Sequence, residues 1–498
     1  MKTAKVSIFE GTYIGKKDNE IISFKGIPYA MPPTGSLRWK APQSLEKSSN
    51  EMDAFHFGSS CIQPVDEIEQ SSLATQSEDC LTLNVWTKEL SSAKKPVMVF
   101  IHGGGYIAGA SSDPVYDGEN FVKRNDIVLV SINYRVNIFG FLNLEEIGGK
   151  EYEDSKYLGT LDQIKALEWV KKNIHLFGGD ADNITIFGES CGGGSVSVLM
   201  TIPKAKGLFH KVIAQSGTLN LVKNTDISRQ IGRDFVELTG ASTIEKLLEI
   251  DEDQLRIYCD ELMEKYEYKS EIIFAPVADG KLIPKNPFES IADGFASDIK
   301  LMIGTTKDEI KFWRLYYPNL EEVIDDFLEQ QIAIIGRNTY DVDTTIKKFY
   351  TSSITTDKHT RVNEILFRIP SIQFAELQSK YNDTWMYLFA WPSQIGKYGA
   401  CHAIDLPFVF HNLDTEDEQT FIGNNLPEDL AANVQDAWAA FAIHGNPQHL
   451  NIPHWPSYDT KERATMIIDE QWDCVNDPYK SERLIFEEIM HLNSSSTV

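Results

Sequence analysis

Short apolar runs bounded by glycine, proline and polar residues recur along this chain, and most of them are rich in β-branched side chains. Runs of about four to eight such residues are typical of strands that are buried in a sheet. Residues 5–30 instead alternate apolar and polar positions around glycines, which predicts short N-terminal hairpins. The predicted buried strands are residues 77–86, 96–101, 127–132, 183–187, 211–217, 301–304 and 385–390.

A different period, in which apolar residues recur about every three to four positions, predicts helices between these strands. The clearest example runs from Leu161 to Ile174, and Thr160 with Gln163 resembles a capping box at its start. The alternation of strands, loops and helices predicts an α/β fold, with a mostly parallel sheet that is covered by helices on both faces. The other predicted helical stretches are residues 191–200, 225–270, 317–380 and 428–443.

The sequence shows no sign of a boundary between separate domains. We find no internal repeat, no low-complexity segment and no change of composition that marks a linker. Large α/β enzymes often keep one sheet across such a length, so residues 1–498 are predicted to form a single domain. The two long helical blocks are then predicted to be lid insertions between core elements, at roughly 218–300 and 315–380.

The formal net charge of −26 narrows the choice of partners. A strongly acidic protein repels nucleic acid and anionic membranes, so neither is expected as a partner. No run approaches the roughly 18 apolar residues that a membrane-spanning helix needs, and the N-terminal segment lacks the apolar core of a signal peptide. We therefore expect a cytoplasmic protein. Six cysteines in a chain of this length do not indicate a disulfide scaffold.

The segment Gly188-Glu189-Ser190-Cys191-Gly192 connects a predicted strand to a predicted helix. The pattern G-x-S-x-G in this context is typical of a nucleophile elbow, a sharp turn that exposes a reactive serine. Small residues are needed because neighbouring backbone passes close to the turn. The helix start points unpaired N–H groups at developing negative charge. A glycine-rich turn that happens to contain a serine is the alternative, and the other parts of a hydrolase found elsewhere in the chain argue against it.

Acyl transfer also needs backbone donors for the oxyanion that forms on the ester carbonyl. In such enzymes one donor follows the nucleophile, and the others come from a glycine-rich loop after an earlier strand. The run His102-Gly103-Gly104-Gly105 follows the predicted strand 96–101 and occupies that place. Glycines suit this loop because side chains would block the approach of the ester. A simple tight turn is the alternative interpretation.

In this class of enzyme the chain order is nucleophile, acid and histidine, so the base should follow Ser190. His402 stands out because it lies in a loop of small residues shortly after a predicted strand. The acid is harder to choose. Glu309 follows another predicted strand, at the end where such sites gather, and Asp308 is its immediate rival. The other histidines after the serine are His210, His359, His411, His444, His449, His454 and His491.

Several longer motifs accompany these candidates. They are Phe24–Ala30, Glu78–Leu81, His102–Gly105, Phe177–Asp180, the elbow, Phe274–Gly280, His402 with Leu406–Phe410, and Gly445–Pro447. With them, the chain resembles the type-B carboxylesterase family, which also contains the cholinesterases, and most of all its bacterial para-nitrobenzyl-esterase-like members. The resemblance runs from about residue 5 to residue 470. It implies an α/β-hydrolase fold and serine carboxylesterase activity.

The resemblance also implies a role for each candidate side chain. It selects Glu309 rather than Asp308 as the acid that orients the base, and it selects His402 as the base itself. Ser190 is then the nucleophile that attacks the ester carbonyl. The resemblance further implies that Ser216 lies near these three residues and supports them.

An oxyanion hole formed by the backbone N–H groups of Gly104, Gly105 and Cys191 is implied in the same way. The family usually has alanine where this chain has Cys191. Only the backbone N–H is needed there, so activity should survive, and a reactive thiol beside the serine is the alternative. The resemblance also implies a structural ion pair between Arg38 and Glu78.

The loop between Cys61 and Cys80 departs from the cholinesterases, because it is short and has no tryptophan. Cholinesterases carry their choline-binding tryptophan in this loop, so its absence argues against choline esters as substrates. The same two cysteines often form a disulfide in secreted relatives. We expect free thiols here, since a cytoplasmic protein is kept reduced.

These arguments predict a serine carboxylesterase that hydrolyses small-molecule esters through an acyl-enzyme, without a metal or cofactor, as a monomer or homodimer. Amide or lactone hydrolysis by the same three residues is the first alternative. The second is a non-catalytic interaction protein, which some animal relatives are. Tyr106 and Ile272 are tentative residues of the substrate pocket, with simple packing as the alternative role.

Overall fold

The computed structural model describes residues 2–64, 75–90, 94–266, 272–349, 357–415, 421–424 and 426–491. These residues form one 13-stranded sheet. Its strands are β1 (Lys2–Ile8), β2 (Gly11–Asp18), β3 (Ile21–Pro28), β4 (Glu51–Ala54), β5 (Thr82–Thr87), β6 (Lys95–Ile101), β7 (Val128–Ile132), β8 (Gly179–Glu189), β9 (Lys211–Gln215), β10 (Lys300–Thr306), β11 (Thr384–Phe389), β12 (Ala464–Ile468) and β13 (Asp473–Asn476).

The sheet order separates an antiparallel N-terminal edge from a parallel centre. The order is β1-β2-β3-β5-β7-β6-β8-β9-β10-β11-β12-β13, and β4 pairs with β2. Every pair from β7 to β12 is parallel, whereas the pairs from β1 to β7 along this path and the pair β12–β13 are antiparallel. The predictions of N-terminal hairpins and of a mostly parallel central sheet are therefore confirmed.

Helices occupy most of the connections between the parallel strands. They are α1 (Glu119–Arg124), α2 (Asn137–Phe141), α3 (Glu145–Gly148), α4 (Leu158–Asn173), α5 (Cys191–Leu199), α6 (Thr225–Thr239), α7 (Ile244–Leu248), α8 (Glu252–Tyr266), α9 (Pro287–Ala292), α10 (Leu320–Ile334), α11 (Thr339–Phe349), α12 (Lys358–Asn363), α13 (Ile369–Gln378), α14 (Leu406–Phe410), α15 (Glu428–His444) and α16 (Lys480–His491). The structure thus has the α/β class that the sequence predicts.

The two predicted insertions coincide with two long helical connections. Helices α6 to α9 lie between β9 and β10, and α10 to α13 lie between β10 and β11. Residues 267–271 and 350–356 of these connections fall outside the described residues. That the connections act as lids over one domain stays a prediction.

Two apolar layers cover the sheet, and the alternation of strand residues creates them. In β6, Val97 and Val99 point into one buried cluster, while Met98 and Phe100 point into the other, because successive side chains of a strand face opposite sides. Helices α4, α5 and α13 contribute to the first layer, and α14 and α15 to the second. A strand covered on both faces is apolar throughout, which is why its sequence shows a continuous apolar run.

The capping box predicted at Thr160 is wrong. Helix α4 begins at Leu158, so Thr160 lies inside the helix rather than at its start. The acidic residue that follows, Asp162, instead accepts hydrogen bonds from the side chain of Arg135 at 2.7 Å, through both carboxylate oxygens. Gln163, the second residue of the predicted box, donates its side-chain amide to the Ser195 hydroxyl at 3.0 Å.

The predicted strand 77–86 is shorter in the structure, where β5 begins only at Thr82. Glu78, just before it, receives the hydrogen bond from Arg38 Nε at 2.8 Å, so the predicted ion pair is present. Cys61 and Cys80 are both buried. Residues 65–74 of the loop between them lie outside the described residues, and the free-thiol state stays a prediction. No described helix is long and apolar enough to cross a membrane.

Candidate active site

The turn at Ser190 connects the end of β8 directly to the start of α5. Ser190 has φ +57° and ψ −124°, a conformation that non-glycine residues rarely adopt. The backbone on either side packs too closely for side chains. A Cβ on Gly188 would lie 2.5 Å from the carbonyl carbon of Gly192, and one on Gly192 would lie 2.1 Å from the carbonyl oxygen of Ile101. Glycines on both sides thus allow the strained turn that presents the serine.

The neighbouring strand β9 holds this turn in place. The N–H of Ser190 donates to the carbonyl of Gln215 at 2.9 Å. Ser216 follows with φ +47°, is fully buried, and donates its N–H to the carbonyl of Gly304 at 2.9 Å. Its hydroxyl has no hydrogen-bond partner among the described residues. The structure therefore brings Ser216 beside the nucleophile turn.

The glycine-rich loop after β6 approaches the same turn. A Cβ on Gly103 would lie 3.1 Å from Ser190 Cβ, so a larger residue there would press on the serine. Gly104 and Gly105 have φ +96° and +65°, values that glycine adopts at low cost. His102 anchors the loop, because its carbonyl accepts from the Tyr134 hydroxyl at 2.9 Å. Burial lowers the pKa of His102 to about 4, so this ring is neutral at neutral pH.

His402 and Glu309 meet at the ends of the next two strands. Glu309 lies just after β10, and its Oε2 is 2.6 Å from His402 Nδ1. Its other oxygen accepts from the N–H of Thr306 at 2.7 Å. The rival Asp308 accepts instead from the N–H of Ala400 at 3.0 Å. Geometry therefore favours Glu309 as the partner of the imidazole, and Asp308 supports the loop before it.

A second carboxyl group, which sequence reasoning missed, faces the other nitrogen of the ring. Glu189 Oε1 lies 3.2 Å from His402 Nε2, and both side chains are buried. Burial raises the pKa of Glu189 to about 8. Burial alone would lower the pKa of His402, but the carboxyl groups of Glu189 and Glu309 outweigh it and raise that pKa to about 9. The feature of the sequence that could have pointed to Glu189 is its position directly before Ser190.

In the described residues, no hydrogen bond joins the Ser190 hydroxyl to His402. Such contacts are often long in unliganded enzymes and tighten when substrate binds. The parts of the site nevertheless share one edge of the sheet, since β6, β8, β9 and β10 all end there. This edge is where open α/β sheets gather their sites.

Comparison with known proteins now decides the family. A model of the carboxylesterase family matches residues 2–487. The chain belongs to the carboxylesterase family. Its similarity to para-nitrobenzyl esterase of Bacillus subtilis (strain 168) is 37% identity over 485 residues, which covers 95% of this chain and 96% of that protein. Phenmedipham hydrolase of Pseudarthrobacter oxydans is 31% identical over 485 residues, covering 92% of this chain and 93% of the relative.

Solved structures agree with these relatives. A thermophilic PNB esterase matches this carboxylesterase with a TM-score of 0.85 and 35% identity, over 97% of this chain and 99% of the other. A Geobacillus stearothermophilus carboxylesterase matches with a TM-score of 0.86 and 32% identity, again over 97% and 99%. The carboxylesterase described here therefore has the α/β-hydrolase fold and is a carboxylic ester hydrolase.

Cys191 begins α5 directly after the nucleophile candidate of this carboxylesterase, and its side chain is buried. Burial raises the pKa of the thiol, and the Ser190 hydroxyl and the backbone N–H groups of Gly105 and Tyr106 offset this only in part. A thiol with a raised pKa holds little of the reactive thiolate at neutral pH. The alternative of a reactive thiol therefore loses support.

Three aromatic rings surround His402, and sequence reasoning missed all of them. The ring centroids of Phe367, Trp313 and Phe312 lie 5.1, 5.5 and 5.8 Å from that of the imidazole. Phe312 and Trp313 belong to the turn that starts at Glu309, whereas Phe367 comes from a π-helical turn at Glu364–Arg368. Such turns are frequent at functional sites. No local sequence motif predicts this aromatic cluster, because its residues come together only in the folded chain.

The two tentative pocket residues both make packing contacts. Tyr106 is fully buried, and its ring packs edge-on against Phe141 at 5.1 Å. Ile272 is partly buried against the first apolar layer. Contact of either residue with substrate stays a prediction. The described part of this carboxylesterase contains no group of three or more histidine, cysteine or acidic residues that could hold a metal ion.

Proposed function

We propose that this carboxylesterase hydrolyses esters through an acyl-enzyme on Ser190, with His402 as the base and Glu309 as the acid that orients it. The observation that carries the proposal is the buried 2.6 Å contact between His402 Nδ1 and Glu309. It fixes the proton of the imidazole on Nδ1 and leaves Nε2 to exchange a proton with the serine. The alternative acid, Asp308, has no such contact with the ring.

In the first half of the reaction, the neutral form of His402, which predominates only above its raised pKa, takes the proton of Ser190 while the serine oxygen attacks the ester carbonyl. The imidazolium that forms is stabilised by Glu309. The oxyanion is expected to accept hydrogen bonds from the backbone N–H groups of Gly104, Gly105 and Cys191. One such donor typically contributes about 2.7–4 kcal/mol to the transition state.

The second half reverses these roles. His402 gives its proton to the alcohol oxygen as the bond to the acyl carbon breaks, and the alcohol leaves. Water then loses a proton to His402 and attacks the acyl group on Ser190. The tetrahedral intermediate collapses to release the carboxylic acid, and the serine recovers its proton.

The rings around His402 support a preference for esters of aromatic alcohols. The alcohol oxygen must come within about 2.6–3.2 Å of His402 Nε2 to receive its proton, so the group attached to it lies beside the imidazole. Phe367, Trp313 and Phe312 provide apolar, polarisable surface at that place. The named substrates of two relatives, para-nitrobenzyl esters and phenmedipham, are consistent with this preference.

The helical connection between β10 and β11 supports its proposed role as a lid. It supplies Phe367, and Asn220 from the other connection donates its side-chain amide to the carbonyl of Leu366 at 3.0 Å. Asn363, at the end of α12, accepts from the N–H of Ile310 at 2.9 Å. The two insertions are therefore bonded to each other, and the second of them is bonded to the turn that carries Glu309.

An isomeric pair of esters tests the substrate preference. Benzyl acetate and methyl phenylacetate have the same atoms, but the ring is in the alcohol of the first and in the acyl group of the second. We expect kcat/KM to be at least about tenfold higher for benzyl acetate. Substitution Phe367→Leu should reduce this ratio severalfold. The matched variant Phe374→Leu, in the core of α13, should keep it. Equal values for the two esters would contradict the preference.

A second comparison tests the chemistry itself. Hydrolysis of para-nitrophenyl acetate, butyrate and octanoate should disappear in Ser190→Ala and persist in Cys191→Ala. A matched ester and anilide would separate ester hydrolysis from amide hydrolysis, and we expect the ester to be hydrolysed faster. Activity that survives in Ser190→Ala but not in Cys191→Ala would overturn the serine mechanism.

A further inference from the structure

Asp405 is a fully buried acid in the same loop as His402, three positions further along the chain. Its Oδ2 accepts from the side-chain amide of Gln215 at 2.9 Å and lies 3.4 Å from the hydroxyl of Tyr387. Its Oδ1 has no hydrogen-bond partner among the described residues. A buried carboxyl group without full hydrogen bonding is costly, so its presence needs a reason.

Gln215 contacts both halves of the site. Its backbone carbonyl accepts from the N–H of Ser190 at 2.9 Å, while its side-chain amide donates to Asp405. The amide oxygen of the same side chain accepts from Trp438 Nε1 at 3.0 Å. One residue at the end of β9 therefore holds the nucleophile turn through its backbone and the histidine loop through its side chain.

Trp438 determines which way this amide points. An indole N–H is only a donor, so the group that faces it must be the amide oxygen. The NH₂ group then has to face Asp405, where a carboxylate accepts it. The Asp405 carboxylate favours the same orientation, so without the indole N–H the amide would be held from one side only. Trp438 is fully buried on α15, so its N–H has no access to water.

The contacts from Trp438 through Gln215 to Asp405 affect the charge that surrounds His402. The groups that face the imidazole are Glu309 after β10, Glu189 at the end of β8, and Asp405 in its own loop. Burial raises the pKa of Asp405 to about 6, and the hydrogen bond from Gln215 opposes that rise. Asp405 is therefore negative at neutral pH, and its charge stabilises the imidazolium form of His402.

We propose that Asp405, Gln215 and Trp438 are positioning residues of the esterase reaction, in which the indole N–H orients the Gln215 amide and the amide keeps a carboxylate charge beside His402. This inference rests on the proposed roles of Ser190 and His402. It predicts that the three residues together shift the pH at which the base becomes active, in addition to the larger effects of Glu189 and Glu309, and that their effect passes through Asp405.

The acid limb of kcat/KM against pH measures this directly, because it reports the protonation of the free enzyme's base. In Asp405→Asn a negative charge is lost, so the imidazolium is less stable and the limb should move to lower pH, by on the order of half a unit to one unit. In Trp438→Phe the limb should move in the same direction by less. In the double variant it should move no further than in Asp405→Asn alone.

Trp385→Phe is the matched control. Trp385 is also buried, and its indole nitrogen has no hydrogen-bond partner among the described residues. It should therefore keep the wild-type pH profile, although it loses the same atoms. Thermal unfolding of every variant checks that each one is folded. An acid limb that is unchanged in both Asp405→Asn and Trp438→Phe would overturn the proposal, as would an equal shift in Trp385→Phe.

Titration with a fluorophosphonate separates this proposal from the one on which it rests. Labelling of Ser190 in the wild type, together with unchanged profiles in the variants, would overturn the positioning role alone. A wild-type enzyme that is active but not labelled at Ser190 would overturn the proposed function, and the positioning role with it. Labelling at Ser190 together with the predicted shifts supports both.

Discussion

The nucleophile half and the histidine half of this site are built in different ways. The nucleophile half consists of β8, the turn at Ser190 and the start of α5, with the loop after β6 against it. Its geometry comes from backbone contacts between glycines. The histidine half consists of the loops after β10 and β11, with rings from the helical connection between them. Its geometry comes from buried charges and aromatic side chains that are distant in sequence.

This difference determines whether a substitution in each half lowers the stability of the fold or changes the rate of the reaction. A methyl group added at Gly188 or Gly192 would collide with backbone atoms of Gly192 or Ile101, so it should lower the stability of the fold. A change of charge in the second half removes side-chain hydrogen bonds, including those that Glu309 and Asp308 accept from backbone N–H groups, but it adds no atom that collides with the backbone. Substitutions in the histidine half should therefore alter rates and pH dependence at nearly unchanged stability, and substitutions in the nucleophile half should alter stability first.

The largest expected effect on rate comes from a comparison of substitutions at two adjacent acids of the histidine half. Glu309→Gln should lower kcat by about 10³–10⁴-fold, because the imidazolium loses its stabilising charge and its fixed tautomer. Asp308→Asn should lower kcat by less than about tenfold, since Asp308 contacts Ala400 and Lys311 rather than the ring. Steady-state kinetics on one ester measures both. A larger loss in Asp308→Asn would reverse the assignment of the acid.

The next contrast concerns stability in the nucleophile half. Gly192→Ala should destabilise the fold by about 3 kcal/mol or more, because its Cβ would lie 2.1 Å from the Ile101 carbonyl oxygen. Gly207→Ala is the control, since Gly207 has φ +81° but no atom within 4 Å of its added Cβ. Backbone strain alone should cost about 1–2 kcal/mol there. If Gly192→Ala and Gly207→Ala shift the thermal unfolding midpoint equally, the backbone near the turn moves to accommodate the methyl group more easily than we expect.

The smallest effect is a shift of pH dependence in Glu189→Gln. With its pKa raised to about 8, Glu189 carries a negative charge in the upper part of the pH range. Its replacement by glutamine removes that charge beside His402, so the pKa of His402 should fall and the acid limb of kcat/KM should move to lower pH. We expect on the order of one unit, with Glu309 and Asp405 still in place. A limb that stays unchanged would mean that Glu189 is uncharged throughout the range measured, and a move to higher pH would contradict the account.

The two halves also differ in how far the sequence predicts them. The turn at Ser190 and the loop at Gly104 follow from local patterns, because glycines at fixed spacing and a strand-to-helix change are visible in a single stretch of sequence. The pairing of His402 with Glu309 needed the family resemblance, since many acidic residues were possible partners. Composition gave no reason to prefer Glu309 over Asp308.

What the sequence missed depends on contacts between distant elements. Phe367 reaches His402 through a π-helical turn, which has no sequence signature in this chain. The capping box at Thr160 failed because helix α4 begins two residues earlier, at Leu158, and the Gln163 side chain donates to the Ser195 hydroxyl instead. Strands β12 and β13 at the C-terminal edge were not predicted, and they belong to the sheet because β12 pairs with β11 and β13 pairs with β12. Helix α16 was not predicted either.

The central claim is that Ser190 carries the acyl group, and mass spectrometry of the trapped acyl-enzyme tests it most directly. The enzyme would be quenched within the first turnover of para-nitrophenyl acetate, digested, and searched for the acetylated peptide. We predict one acetyl group on Ser190 in the wild type and in Cys191→Ala, and none at this turn in Ser190→Ala. An acetyl group on Cys191, or full turnover without acetylation of Ser190, would contradict the account.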